Sequence, residues 1–188
     1  MVSFGYTLSS EEHPPLELVQ NARKAEEAGF DFVSISDHFH PWVSAQGHSP
    51  FVWGVLGAIA TATERLEVAV GVTCPIMRIH PAVIAQASAT ASLLLEGRFT
   101  FGVGTGEALN EHILGDRWPR PEVRLEMLEE AVEVIRQLWT GDTVDHEGDF
   151  YEVENARLFD PPESPPPIVV SGFGPKAAEL AGRIGDGY

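Results

Sequence analysis

Short apolar, β-prone runs alternate with longer helix-patterned segments along this chain, and that alternation constrains its fold more than any other feature. Strands are expected at Val2–Leu8, Phe32–Ser36, Leu66–Thr73, Phe99–Gly104 and Ile168–Ser171. Between and after them fall five helical segments. The first runs from about Pro14 to Ala28, with Gly29 just past its end. A second opens at Ser49-Pro50, with Ser49 as cap, and reaches about Thr63. Pro81 starts a third, rich in Ala and Ser, which Gly97 ends. The clearest is about Pro121–Trp139, where Met127, Leu128, Ala131, Val134, Ile135 and Leu138 form one apolar stripe. A fifth begins at Lys176. Val/Ile/Phe-rich strands, each followed by a helix, specify a parallel α/β architecture.

The unit length of about 30–40 residues matches one β/α unit of a (β/α)₈ TIM barrel, which typically needs ~250 residues. With 188 residues, the chain is expected to cover about the first five units as a single domain, residues 1–188. Gly185-Asp186-Gly187-Tyr188 reads as the lead-in to a sixth strand. One small hairpin excursion is expected at about 142–154, around Glu147-Gly148-Asp149, and a connector with five prolines follows at Asp160–Pro167.

Composition narrows the function. A formal charge of −16 argues against a nucleic-acid partner, whose phosphates require basic surface. No apolar run approaches the ~18 residues of a membrane span, and the N-terminus lacks the pattern of a secretion signal. Cytoplasmic residence is the resulting expectation. A lone cysteine, Cys74, allows no internal disulfide and makes no zinc cluster. It is read as a small buried residue, not a nucleophile.

In a parallel α/β sheet the carboxyl ends of all strands lie on one face, where chemistry is done. Phe32–Ser36 delivers Asp37, His38, His40 and Trp42, with Pro41 stopping further strand pairing. The third strand delivers Gly71, Val72 and Cys74; the fourth Thr105, Gly106 and Glu107, with Asn110 shortly after; the fifth Ser171, Gly172, Phe173 and Gly174. One face therefore gathers an imidazole, carboxylates, an indole, an amide and glycine-rich turns. A histidine can take a proton from a substrate hydroxyl at neutral pH. Glu107 can serve as the complementary acid if burial raises its pKa, or it merely caps the turn that follows. Trp42 offers a flat wall for a planar ring. Glycines at the strand ends let a ligand approach the backbone, which suits a planar heterocyclic cofactor. His38-x-His40 also admits a metal hydrolase, although the later strand ends offer few further ligands. His13, His80, His112 and His146 are expected to be mostly solvated, and Trp53, Trp118 and Trp139 to serve packing.

The stretches AEEAGFDFVSISDHFHPW, HPAVIAQASATASLL and FGVGTGEALNEHI resemble the luciferase-like superfamily. Within it they resemble the F420-dependent oxidoreductases related to F420-dependent glucose-6-phosphate dehydrogenase. The resemblance runs along essentially the whole chain. It implies a (β/α)₈ barrel that binds coenzyme F420 and transfers a hydride between a hydroxyl-bearing substrate, a secondary alcohol or sugar, and the deazaflavin. It implies His38 as base, Trp42 as stabiliser of the intermediate and Glu107 as proton donor to the cofactor. It further implies cofactor contacts from Asp37, Gly71, Val72, Cys74, Thr105, Gly106, Asn110, Ser171, Gly172, Phe173 and Gly174, no metal, and a bulge at Gly71-Val72 with a non-proline cis peptide. Members commonly form homodimers. Two departures from the sugar-phosphate enzymes stand out: the last barrel units, which carry their phosphate-binding cations, lie outside this sequence, and His40 replaces an expected glutamine. The alternatives are an FMN-dependent monooxygenase of the same superfamily and an inactive truncated barrel.

Overall fold

Five parallel strands pair in the order β1 (Gly5–Leu8), β2 (Phe32–Ile35), β3 (Glu67–Thr73), β4 (Phe99–Val103) and β7 (Ile168–Val170) in a computed structural model that describes residues 2–188. Each strand adds beside the one before it, so the order never reverses. Right-handed crossovers then place the helices that connect the strands on the same side of the sheet. That is the winding of a barrel, not of a doubly wound sheet. The helices are α1 (Pro15–Glu27), α2 (Val52–Ala62), α3 (Pro81–Leu94), α4 (Ala108–Glu111), α5 (Pro121–Leu138) and α6 (Pro175–Ile184). Gly187 makes a parallel bridge to Val169, continuing the sheet past β7.

Strand alternation sorts the side chains. Val33, Ile35, Val68, Val70, Phe99 and Phe101 are buried against the helices, where Leu18, Leu56, Ile59, Ile84, Leu128 and Ile135 complete the core. On the opposite face the register aligns Thr7, Ser34, Ala69 and Thr100 in one row of small side chains. β1 is the exception to the expected apolar strands, with three of its four residues exposed and only Leu8 buried.

The hairpin forms from β5 (Val144–Glu147) and β6 (Glu152–Ala156), reaching slightly beyond the expected 142–154. The Glu130 carboxylate holds its turn, accepting N–H bonds from Asp149, Phe150 and Tyr151. Tyr151 in turn donates to Ile76 O at 2.9 Å, fastening the hairpin to the β3–α3 loop.

Several local expectations need correction. Ser49 does not cap α2, which starts at Val52; its hydroxyl instead donates to His38 O at 2.7 Å, tying down the loop after β2. His80 is exposed, as expected, but it also has a structural part: its ring accepts from Ala82 N and caps α3, and burial lowers its pKa. His146 is also largely enclosed, 3.3 Å from Glu130. Trp139 packs as expected and spends its indole N–H on Ala85 O. No helix of the described residues is long and apolar enough to cross a membrane.

Candidate active site

The carboxyl ends of the strands surround one cavity of about 920 Å³. Every catalytic and cofactor-contact residue expected from the strand ends lines it: Asp37, His38 and Trp42; Gly71, Val72 and Cys74; Thr105, Gly106, Glu107 and Asn110; and the turn from Ser171 to Gly174. Parallel pairing is the cause, since it brings residues far apart in sequence to a common edge.

His38 faces a carboxylate that its strand-end pattern does not announce. Glu11, in the turn after β1, places Oε1 2.7 Å from His38 Nδ1. The approach is close but not aligned as a hydrogen bond. Ser36 Oγ donates to the same oxygen at 2.6 Å, and Ser36 shares a hydrogen bond with Ser10. Burial alone would push the Glu11 carboxyl up. Its contacts with His38 and Ser36 and its own backbone N–H outweigh that and hold it at about 2. The His38 and Trp42 rings meet edge to face, centroids 5.2 Å apart and planes at 85°. Trp42 itself is half exposed on the lip.

Beneath the ligand space lies a second element absent from the sequence expectations. Arg78, from the β3–α3 loop, reaches Asp37 Oδ1 at 2.9 Å and Glu111 Oε1 at 3.5 Å, all three side chains being nearly inaccessible. Thr73 donates to the other Asp37 oxygen, and the Arg78 N–H donates to Glu111 Oε2. Burial raises the Glu111 pKa even against the neighbouring guanidinium. Burial likewise pushes the Cys74 thiol up, with Glu111 adding to it. One guanidinium thus joins the ends of β2, β3 and β4.

The wall over β3 is irregular. Its pairing with β4 shifts between Val70 and Thr73, and the Gly71–Val72 peptide is cis, as the resemblance implied. At Gly106 the backbone has φ +69°, and a Cβ there would overlap Cys74 Sγ, so the turn admits only glycine comfortably. Asn110 Oδ1 accepts the N–H groups of both Phe39 and His40, at 2.9 and 3.0 Å.

Two sequence expectations change. Glu107 is exposed at the start of α4 and makes no side-chain capping bond, so neither the burial condition nor the cap is met. His40 turns away from His38: its Nδ1 lies 3.0 Å from Leu109 O and its ring stacks on His112. Among the described residues no group of three His, Cys, Asp or Glu side chains is placed to hold a metal ion. Glu11 was detectable in principle, because Ser9-Ser10-Glu11-Glu12-His13 is itself a polar cluster at a strand end.

Comparison with known proteins agrees with this architecture. F420-dependent glucose-6-phosphate dehydrogenases of Amycolatopsis mediterranei (strain U-32) and Microbacterium testaceum (strain StLB037) are each 46% identical to this chain; 100% and 98% of the chain and 57% and 55% of those proteins are covered. The chain therefore spans little more than half the length of these curated relatives. Among solved structures, an F420-dependent secondary alcohol dehydrogenase in complex with an F420-acetone adduct superposes with a TM-score of 0.94 at 41% identity, covering 98% of this chain and 56% of that one. The coenzyme F420 dependent tetrahydromethanopterin reductase from Methanopyrus kandleri matches at 0.83 and 26%, covering 98% of this chain and 54% of that one. The profile described as luciferase-like monooxygenase matches residues 2–188, and the chain belongs to that family.

Proposed function

We propose that this chain supplies the cofactor and proton-transfer part of an F420-dependent dehydrogenase acting on a secondary alcohol or related hydroxyl-bearing substrate. The observation that carries the reading is His38 held against buried Glu11 at the wall of the cavity. The relatives' names and the alcohol dehydrogenase match support the cofactor and the substrate class.

The residues present fit such a cofactor. The cavity is lined by Gly71–Val72 and by the tight Gly106 turn, where a Cβ would collide with Cys74. Asp37 and the backbone at Gly71, Val72 and Cys74 would hold the ring. Thr105, Gly106, the free amide N–H₂ of Asn110 and the Ser171–Gly174 turn would hold the rest. When bound, the deazaflavin supplies the hydride acceptor or donor.

His38 takes the hydroxyl proton as the alcohol is oxidised and returns it in the reverse direction. Glu11 stands against Nδ1 and positions the imidazole, leaving Nε2 for substrate. Trp42 walls the reacting centre. Glu107, exposed on the lip, would be the carboxyl placed to hold a proton for the cofactor in exchange with solvent. The His38→Ala chain is expected to lose turnover of a secondary alcohol while F420 still quenches its tryptophan fluorescence; full activity in that variant would refute the base assignment. Titration with F420 and FMN side by side separates the deazaflavin reading from a flavin monooxygenase, which FMN binding alone would favour.

We also propose that two copies pair through α2 and α3. Neither helix contains a charged residue; Val83, Leu93 and Leu94 of α3 and Phe51, just before α2, are exposed to solvent. In a chain of net charge −16, this neutral face is where like-charged copies can meet with least repulsion. Sedimentation at equilibrium tests it: Leu94→Glu should yield monomer.

A further inference from the structure

β2 ends at Ile35, and the backbone that carries Asp37 and His38 beyond it has no ladder partner. Polar backbone at such a place is satisfied by side chains. Here they come from four places in the chain. The carbonyls of Ser36, Asp37 and His38 accept in turn from Ser10 Oγ at 2.9 Å, Arg78 Nη2 at 3.3 Å and Ser49 Oγ at 2.7 Å. The next two N–H groups, of Phe39 and His40, donate to Asn110 Oδ1. His38 is thus carried on backbone held peptide by peptide.

Arg78 is the charged member of that set, and it holds more than a carbonyl. The same Nη2 donates to Asp37 Oδ1 at 2.9 Å, so the backbone and side chain of the residue before His38 are fixed together. Thr73 donates to the other Asp37 oxygen at 2.9 Å. The far side of Arg78 faces Glu111: Nε lies 3.5 Å from Oε1, and the Arg78 backbone N–H donates to Oε2 at 3.0 Å. Glu111 directly follows Asn110, so the contacts close a ring from Arg78 through Asp37, His38, Phe39, Asn110 and Glu111 back to Arg78. The Arg78 side chain is 6% exposed and each carboxylate 1%, so water hardly competes for these contacts.

A buried triad of this kind is a costly way to gain stability, since apolar residues of like volume often serve as well or better. What it supplies here is direction. A guanidinium is a rigid planar fork that can meet two carboxylates at fixed angles, whereas a lysine ammonium is a point charge on a flexible stem. Direction matters at a base, because a displacement of about 1 Å can cost on the order of 100-fold in rate.

We propose that Arg78, anchored on Glu111, is a positioning residue for the base: through Asp37 it fixes the backbone under His38, and so the bearing of the imidazole against Glu11 and Trp42. Arg78 is not among the residues that line the cavity; it acts through the residue before His38. The kinetic half of this inference rests on the F420 dehydrogenase reading above, and the placement of His38 does not.

The test uses two variants of the whole chain. Arg78→Lys keeps the charge and loses the fork; Glu111→Gln keeps the shape and loses the anchoring charge. NMR of histidine-labelled protein without cofactor follows the His38 ring, assigned by its loss in His38→Ala. His146, held by Glu130 at the hairpin, is the internal control. The His38 signal should shift or split in both variants while His146 stays in place. With F420 and isopropanol, Arg78→Lys should lower kcat about 100-fold, with the F420 dissociation constant within about 2-fold of wild type. An unmoved His38 signal in folded Arg78→Lys overturns the proposal. Equal movement of His38 and His146 means general loosening and overturns it as well. Weakened F420 binding with kcat kept at saturation assigns Arg78 to cofactor holding through Asp37, which also overturns it. Where Arg78→Lys does not fold, the His38 signal of Glu111→Gln decides alone. Where wild type shows no F420-dependent turnover, the dehydrogenase reading fails, and the NMR comparison still upholds or overturns the placement.

Discussion

Glu11 Oε1 stands 2.7 Å from His38 Nδ1 across the boundary between the first two strands, with Ser36 donating to the same oxygen. The carboxylate is nearly inaccessible, so its charge is felt by the imidazole with little screening. Glu11→Gln keeps the shape and the Ser36 hydrogen bond but removes the charge. Its kcat with a secondary alcohol should fall about 10- to 100-fold, with the F420 dissociation constant unchanged. Steady-state kinetics and fluorescence titration check the two halves, and an equal loss in both would mean a general collapse of the mouth.

The same carboxylate predicts acid sensitivity. Its folded pKa of about 2 lies below the ordinary 4.5, so its stabilisation is fully present above pH 4.5. It is lost as pH falls through the folded value. The contribution is about 3 kcal/mol at neutral pH. Urea unfolding of wild type and Glu11→Gln at pH 6 and pH 2.5 should show the gap between them closing at the lower pH.

Arg78 sits between two buried carboxylates. Arg78→Met strands both, which should cost about 3–5 kcal/mol, measured as a lower denaturation midpoint. The triple replacement Arg78→Met, Asp37→Leu, Glu111→Leu should recover part of that stability, because no buried charge is left unpaired.

Gly106→Ala forces a side chain into a left-handed turn and against Cys74. A loss of about 2–3 kcal/mol is expected, with weakened F420 binding. Cys74→Ala opens space beneath that turn and should partly rescue it, which calorimetry of the single and double variants would show.

The Cys74 thiol itself is buried and its pKa raised. It should resist iodoacetamide at pH 8 in the folded chain and react on unfolding, as followed by mass spectrometry. Rapid labelling of native protein would contradict this packing.

The alternation of strands and helices, the five-strand order and the Asp37–His38 strand end were legible in the sequence because they follow from periodicity and from parallel topology. Val33, Ile35, Val68 and Val70 announce a sheet by their spacing alone. Arg78 was not legible, and Glu11 only as one member of a polar cluster, for a different reason. An acidic pair such as Glu11-Glu12 reads as solvated surface in a chain with 28 acids, and only tertiary placement turns one member inward. Glu111 and Glu107 show the same limit. Four residues apart at the end of β4, one is sealed under Arg78 and the other exposed. Ser49 misled because a Ser-Pro pair fits a helix start, while the partner it found was the carbonyl of His38.

Asn110 receives two successive backbone amides from the loop after β2, although some seventy residues separate them. The two loops therefore form a single exchangeable part. A protein engineer who transplants the Asp37–Trp42 loop into another scaffold must carry the Glu107–Glu111 turn with it, or the graft will arrive without the clasp that shapes it.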